Sequence, residues 1–427
     1  MTIRGSMTAL NARRRTDMAS IAVIGSGISG LTAAHYLQRR HQVTLFEADD
    51  RPGGHTDTHS IKVDGCEINV DTGFIVFNDR TYPNFIRLIE SLGVTATATE
   101  MSFSVSGAGF EYNGHNLNTL FAQRSNLVKP RFLRMVRDIL RFNEQARSLN
   151  EADQQLDTGS YLEKHQYSEA FCNHYLLPMA AAIWSTGSEP VRQFPIAALV
   201  RFFEHHGLMD LKNRPQWRVI DGGSRSYVRK IVDGLQDLRL SCPVSSIRRD
   251  ADQVTLTTPA GTEQFDFLVL AVHSDQALKL LSDPSDSESS LLSQMIYTPN
   301  QVKLHSDASI MPQRPLAWAS WNYHLDRDTR QAALTYDMNR LQHLPVKTPV
   351  LVTLNDPGLI DDAKVIDTFE YAHPFYDHAM LDAQSCWQMI SGQNRTYYAG
   401  AYWHNGFHED GVVSALNVCR QLGVSVC

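Results

Sequence analysis

The chain has 427 residues, enough for more than one domain around a large buried core. Its 39 Lys and Arg stand against 46 Asp and Glu, a formal charge of -7, so the global field repels nucleic acid rather than gathering it. Six scattered cysteines without a C-x-x-C pair argue against a disulfide scaffold and fit a reducing cytoplasm.

Residues 1–18 hold Arg13, Arg14 and Arg15 but no apolar stretch of signal-peptide length, and they read as an unstructured leader. No run approaches the roughly 18 apolar residues of a transmembrane span. Organised structure is predicted from Ser20. Ile21, Val23 and Ile24 form a strand, Gly25, Gly27 and Gly30 supply G-x-G-x-x-G, Leu31 to Arg39 continue as a helix, and Val43 to Phe46 form a second strand ending at Glu47. The order strand, glycine turn, helix, strand, acid is a dinucleotide cradle. A pyrophosphate faces the helix N-terminus, and a carboxylate about 20 residues on accepts from a ribose. The Arg51-Pro52-Gly53-Gly54-His55 run adds a glycine pair that a nicotinamide enzyme does not need, so FAD is favoured over NAD.

Ser60 to Val70 reads as a strand pair turning at Asp64-Gly65, and it leads to Asp71-Thr72-Gly73-Phe74-Ile75, where a glycine suits backbone passing close to a flat ring. From Tyr82 to about Asp210 the pattern is helical. Within it, Pro130 to Asn143 sets Phe132, Met135, Val136, Ile139 and Leu140 on one side and Arg131, Arg134, Arg137 and Arg141 on another. Such a helix can lie on an anionic membrane surface; without Trp or flanking apolar bulk, a solvated face is the plainer reading. Tyr175 to Trp184 is apolar, broken by Pro178, and suits either buried core or the wall of a greasy pocket.

Gly222-Gly223 opens a helix, Val244 to Arg248 returns to strand, and Phe267 to Val272 is apolar throughout, like a buried parallel strand. Ser282 to Ser293 reads as a flexible connector. Residues 301–371 alternate as several strands without intervening helices, which predicts an antiparallel sheet. The chain closes as a strand to Gly400, a glycine loop, and a helix to Leu422.

These pieces in this order resemble the amine oxidase and phytoene desaturase superfamily of FAD enzymes. The segments YLLPMAAAIWS, MPQRPLAWASWNYH and YYAGAYWHNGFHEDGVVSAL resemble bacterial NAD/FAD-binding flavoproteins associated with cyclopropane fatty acid synthases. The resemblance implies an α/β protein. A Rossmann-like FAD-binding domain of glutathione-reductase type would occupy 19–80, 215–281 and 390–427. A substrate domain of antiparallel sheet plus helices would occupy 81–214 and 282–389. It places Gly25, Ser26, Gly27, Ser29 and Gly30 on the pyrophosphate and Glu47 on the adenosine ribose. Arg51, Gly54, His55 and Thr56 would follow the ribityl path, Gly73 and Phe74 would lie near the flavin ring, and Val244 would meet adenine. Glu409, Asp410 and Val412 would close over the ring's far end, and Ile28, Ala48, Gly53, Thr72, Ile75, Gly400 and Gly411 complete the expected contact set. Ala401 departs from the acid usual after that last strand glycine, and Phe407 matches one aromatic of an amine-oxidase cage. No cysteine matches a covalent attachment point, so the FAD is expected to be noncovalent.

The resulting expectation is an oxidase or desaturase that removes hydride from a lipophilic substrate such as an acyl chain. Its alternatives are a flavin amine oxidase and a non-catalytic flavoprotein partner of a lipid-modifying enzyme, for instance a cyclopropane fatty acid synthase. Peripheral contact with the inner membrane surface is a further expectation. Lys303, holding a water near the ring, and His404 on the glycine loop are the candidates for proton handling. No metal site is expected, since His404-x-x-x-His408 lacks a third ligand. G-x-S-x-G, H-E-x-x-H and G-x-x-x-x-G-K-[ST] are all absent.

Overall fold

The computed structural model describes residues 18–107, 109–210, 212–325 and 333–426. The leader reading falls on residues 1–17 and the single described residue Met18, so it lies almost wholly outside them. The nucleotide half is built on a five-stranded parallel sheet. Its order is Leu238–Arg239, Gln42–Phe46, Ser20–Ile24, Phe267–Leu270, Thr396–Tyr398. Ile21, Ala22, Val23, Leu45, Leu268 and Val269 are fully buried, as strands covered on both faces require. The helices Ile28–Leu37 and His408–Gln421 pack against each other on one face. Their contact is close because a side chain on Gly411 would collide with Ile28.

The second half is a seven-stranded sheet ordered Val365–Pro374, Tyr297–His305, Leu351–Leu354, Ala333–Asp337, Trp321–His324, Phe103–Gly107, Phe110–Asn113. All its pairs are antiparallel except Trp321–His324 with Phe103–Gly107, which makes the sheet mixed. Phe103–Gly107 and Phe110–Asn113, with Ala96–Thr99, correct the reading of 82–210 as helical. Phe103–Gly107 buries Ser104 and Ser106 beside Val105, so its apolar signal is weak.

The expected boundary at 80/81 also shifts. The helix Pro83–Ser91 sends Phe85, Leu88 and Ile89 into the nucleotide half's core, and Ala96–Thr99 pairs with Trp217–Ile220. The expected connector at 282–293 contains the helix Asp286–Leu292. Ser285 and Glu288 cap it reciprocally, and that pairing satisfies donors a bare helix end would leave open. Pro178 does not break its segment either. The preceding turn, Cys172–Leu176, widens to i→i+5 hydrogen bonding, and the chain continues as the helix Leu177–Trp184.

Candidate functional site

One cavity of about 830 Å³ runs from the ends of the parallel strands to the inner face of the seven-stranded sheet. The carboxyl edge of a parallel sheet is where such folds bind ligands. At the nucleotide end Gly25 holds φ +95°, a backbone that side chains rarely adopt, and any Cβ there would press on Ala271 and Val272. A Cβ on Gly30 would overlap the carbonyl oxygen of Gly25, so the helix meets the strand only because that atom is missing. Gly27 has open space beside it and faces the cavity with Ile28 and Ser29. Their N–H groups belong to the first helical turn, which leaves donors free for an anion.

Glu47 ends the second strand and is held in place. Its Oε2 accepts from the Ser26 N–H at 2.8 Å and the Ser26 hydroxyl at 2.5 Å, and its Oε1 accepts from the Asp49 N–H at 3.0 Å. Ala48, Arg51, Gly53, Gly54 and His55 line the next stretch of wall. The Arg51 guanidinium donates to Asp57 at 2.8 Å. Burial works against charge on Asp57, but the His59 hydrogen bond and Arg51 outweigh it and hold the carboxyl below its ordinary pKa. Val244, Thr72, Gly73, Phe74, Ile75 and Gly400 also line the cavity, as does Phe407, whose ring stacks on Phe202 at 5.0 Å.

Other expected positions stand elsewhere. Gly30 and Gly411 serve close packing, Val412 is buried core, and the Thr56 hydroxyl pairs with the Tyr227 hydroxyl at 2.5 Å. Glu409 turns away from the cavity. Its carboxylate accepts from the Asn84 N–H at 3.0 Å and the Phe85 N–H at 2.8 Å, and so caps the helix Pro83–Ser91. Asp410 caps its own helix through the Phe407 N–H at 2.9 Å, and burial pushes its carboxyl up to about 7.

Neither proton-handling candidate reaches the cavity wall. Lys303 follows Val302, which does line it. Strand alternation sends the lysine to the other face, where Nζ pairs with Asp356 at 2.8 Å. His404 is exposed, and its carbonyl accepts from Gln384 Nε2 at 2.5 Å.

Besides the expected His55, the cavity is lined by His273 and His373, which the sequence reading missed, and by His408, which it weighed only for its spacing from His404. His408 lies flat on Phe74, with ring centroids 3.5 Å apart and planes at 2°, and its Nε2 is 2.7 Å from the Tyr227 hydroxyl. Burial holds its pKa well below the ordinary value. Burial, His373 and His273 push His55 down to about 3, and burial with His273 pushes His373 down to about 4. The middle of the cavity is therefore lined by neutral rings. His273 was findable, since it follows the apolar strand Phe267–Leu270 at the sheet edge where ligands bind. Beyond the imidazoles the wall is aromatic: Trp184, Trp217, Trp321, Tyr336 and Tyr376. Its carboxylates are Glu47 and Asp49 at the nucleotide end and Glu370 on an exposed strand position.

A glycine cradle, a ribose-ready carboxylate and a long channel ending beside a second helix define a flavoprotein oxidoreductase. Residues 28–306 match the model of the flavin containing amine oxidoreductase family, more than half of the chain, and the chain belongs to that family. It is an FAD-dependent enzyme. An L-amino-acid oxidase from Pseudechis australis is 34% identical over 76 residues, which is 18% of this chain and 15% of that protein, so the chain spans only a small part of this relative. A structure described as a protoporphyrinogen oxidase from an Exiguobacterium species has a TM-score of 0.69 and 18% identity, covering 95% of this chain and 98% of that one. A fatty acid isomerase from P. acnes has a TM-score of 0.65 and 16% identity, covering 94% and 98%. At these identities the two structures show the fold alone.

Among the described residues no group of three or more His, Cys, Asp or Glu is arranged to hold a metal. None of their helices is long and apolar enough to cross a membrane.

Proposed function

We propose that this enzyme oxidises or desaturates a lipophilic substrate, of which a fatty acyl chain is the leading class. One observation carries the reading: the far end of the cavity is walled by Trp184, Trp217, Trp321, Tyr336 and Tyr376, with no buried carboxylate among the lining residues to neutralise an ammonium group. An unpaired charge is costly to bury, whereas an alkyl chain is stabilised by the same wall. FAD, when bound, would supply the acceptor for the substrate hydride, with dioxygen or another oxidant as the final acceptor of the electrons.

The protein's share is placement. Gly27, Ile28 and Ser29 would present N–H donors to the pyrophosphate, Glu47 would accept from the ribose hydroxyls, and Gly73, Phe74 and Phe407 would lie beside the ring. The aromatic wall excludes water and orients the carbon that reacts. Lipid-modifying enzymes of the cyclopropane fatty acid synthase type are the partners this reading suggests.

Amine oxidation is the second reading. Aromatic faces attract cations, and the family's description names amines. Anaerobic mixing with acyl lipids, carotenoids and amines, followed by flavin absorbance, decides between them. Bleaching by acyl lipids supports the first reading, and bleaching by amines alone replaces it with the second. If no donor bleaches the flavin while a stable complex with a lipid-modifying enzyme forms, the protein acts as a flavoprotein partner.

A further inference from the structure

The segment from Leu117 to Gln145 carries Arg124, Lys129, Arg131, Arg134, Arg137 and Arg141 against two acids, Asp138, which is buried, and Glu144, which is exposed near the helix end. It is a concentrated positive face on a chain whose formal charge is -7. The helix Pro130–Gln145 turns Phe132, Met135 and Phe142 into the core. Its outer face is not simply charged. Leu133 and Leu140, seven residues apart and so on the same side, are 44% and 50% exposed, so Leu140 does not share the burial of Phe132 and Met135, with which the sequence pattern grouped it. Just before the helix, Leu127 is half exposed and Val128 is 81% exposed. The short helix Leu117–Leu120 exposes Leu117, and the turn Pro315–Ala317 packed against it exposes Leu316. The apolar bulk that the isolated helix lacked is therefore supplied by its neighbours.

Several cations here are occupied: Lys129 donates to the Gly109 carbonyl at 3.0 Å, Arg141 lies over Tyr167 at 4.0 Å, and Arg131 is 3.9 Å from Glu169. Among the described residues Arg134 and Arg137 have no carboxylate partner.

We propose that this face docks the enzyme on an anionic lipid bilayer. Flexible aliphatic side chains beside unpaired guanidinium groups match the boundary between headgroups and acyl chains. A protein partner's contact centre favours aromatic anchors, and none of these exposed side chains is aromatic. The helix packs on Glu169–Phe171, from which the chain continues helically to Ile183 and Trp184 in the cavity wall. Docking would thus hold the aromatic chamber near a source of lipophilic substrate. That benefit rests on the acyl reading; the docking itself does not.

The test is sedimentation of the FAD-loaded protein with vesicles of phosphatidylcholine alone and of phosphatidylcholine mixed with phosphatidylglycerol, at low and high salt. Binding is expected on the anionic vesicles, weaker on the neutral ones, and reduced by salt. The double variant Arg134→Gln/Arg137→Gln should bind about 25-fold more weakly, since each basic residue near such a surface is worth about fivefold. Val128→Ser/Leu133→Ser should remove the salt-resistant remainder. Flavin absorbance and melting temperature should stay as in the parent, because these side chains touch neither core nor cavity. Equal binding to both vesicles, no binding, or unchanged binding by the arginine variant overturns the proposal, as does capture of an acidic protein without vesicle binding. Failure of acyl lipids to bleach the flavin would overturn the substrate reading and leave the vesicle result standing.

Discussion

The cradle depends on single atoms. Gly30 stands where a methyl group would strike the carbonyl of Gly25, and backbone cannot give way as a side-chain tip can. Gly30→Ala should therefore cost about 1–3 kcal/mol by overpacking, and the distortion falls on the turn that faces the phosphates. The expected result is a lower melting temperature together with protein that leaves gel filtration depleted of flavin. Glu47 makes a different prediction, because it is a charged acceptor already positioned by Ser26. Glu47→Ala should weaken FAD binding by about 1.5–3 kcal/mol, read as flavin fluorescence on dilution, and unchanged affinity would remove Glu47 from the ribose. These residues were legible because their reasons are local: a turn, a helix start and a strand end lie within thirty residues. Lys303 was not, although alternation alone predicts that it and Val302 face opposite ways. What no local rule supplies is Asp356, the partner that holds the lysine on its own side.

Elements are joined by contacts that sequence distance hides. Glu409 and the helix Pro83–Ser91 are more than three hundred residues apart, yet the carboxylate satisfies the N–H groups of Asn84 and Phe85 that this helix's own N-terminus leaves open. An acid in the first turn of the helix His408–Gln421 thus serves as a cap on another element. Glu409→Ala should cost about 1–2 kcal/mol of stability, the range for losing a helix cap, while the flavin spectrum and FAD affinity stay as in the parent. A loss of FAD affinity without a loss of stability would restore its expected place at the ring. Long, periodic elements such as Ile28–Leu37 and Phe267–Leu270 could be read directly. The strands Phe103–Gly107 and Phe110–Asn113 could not, because buried Ser104, Ser106 and Asn113 disguise them as polar and the strand that joins the first of them to the sheet, Trp321–His324, lies two hundred residues on. The helix Asp286–Leu292 is an opposite case: its Ser-x-x-Glu signature was present, but a serine-rich composition outweighed it.

At the scale of the molecule, two halves share one cavity, and its middle is lined by imidazoles that burial keeps neutral. His55 at about 3 and His373 at about 4 lie far below the ordinary 6.5 because burial and neighbouring imidazoles oppose their charge. Unfolding frees both to protonate near the ordinary value. Above that pH the two states bind the same number of protons and stability is complete. As pH falls below about 6.5 the unfolded chain takes up protons that the folded chain refuses, so stability declines until the folded values are passed. Asp57 and Glu288, both held below ordinary carboxyl values, add loss of the same sign further down the scale. Asp71 and Asp410, which burial raises to about 6 and about 7, work in the opposite sense and offset part of this loss, but His408 and His206 are lowered by burial as well. Melting temperatures measured with saturating FAD from about pH 7 to about pH 4.5 should therefore fall on balance. His373→Asn replaces a titrating ring with a group that stays neutral, so its curve should start lower, where the contact with Asn300 is lost, and then descend less steeply. If parent and variant descend in parallel, His373 takes up its proton in the folded enzyme as readily as in the unfolded chain, and the neutral imidazole lining at the middle of the cavity would have to be abandoned.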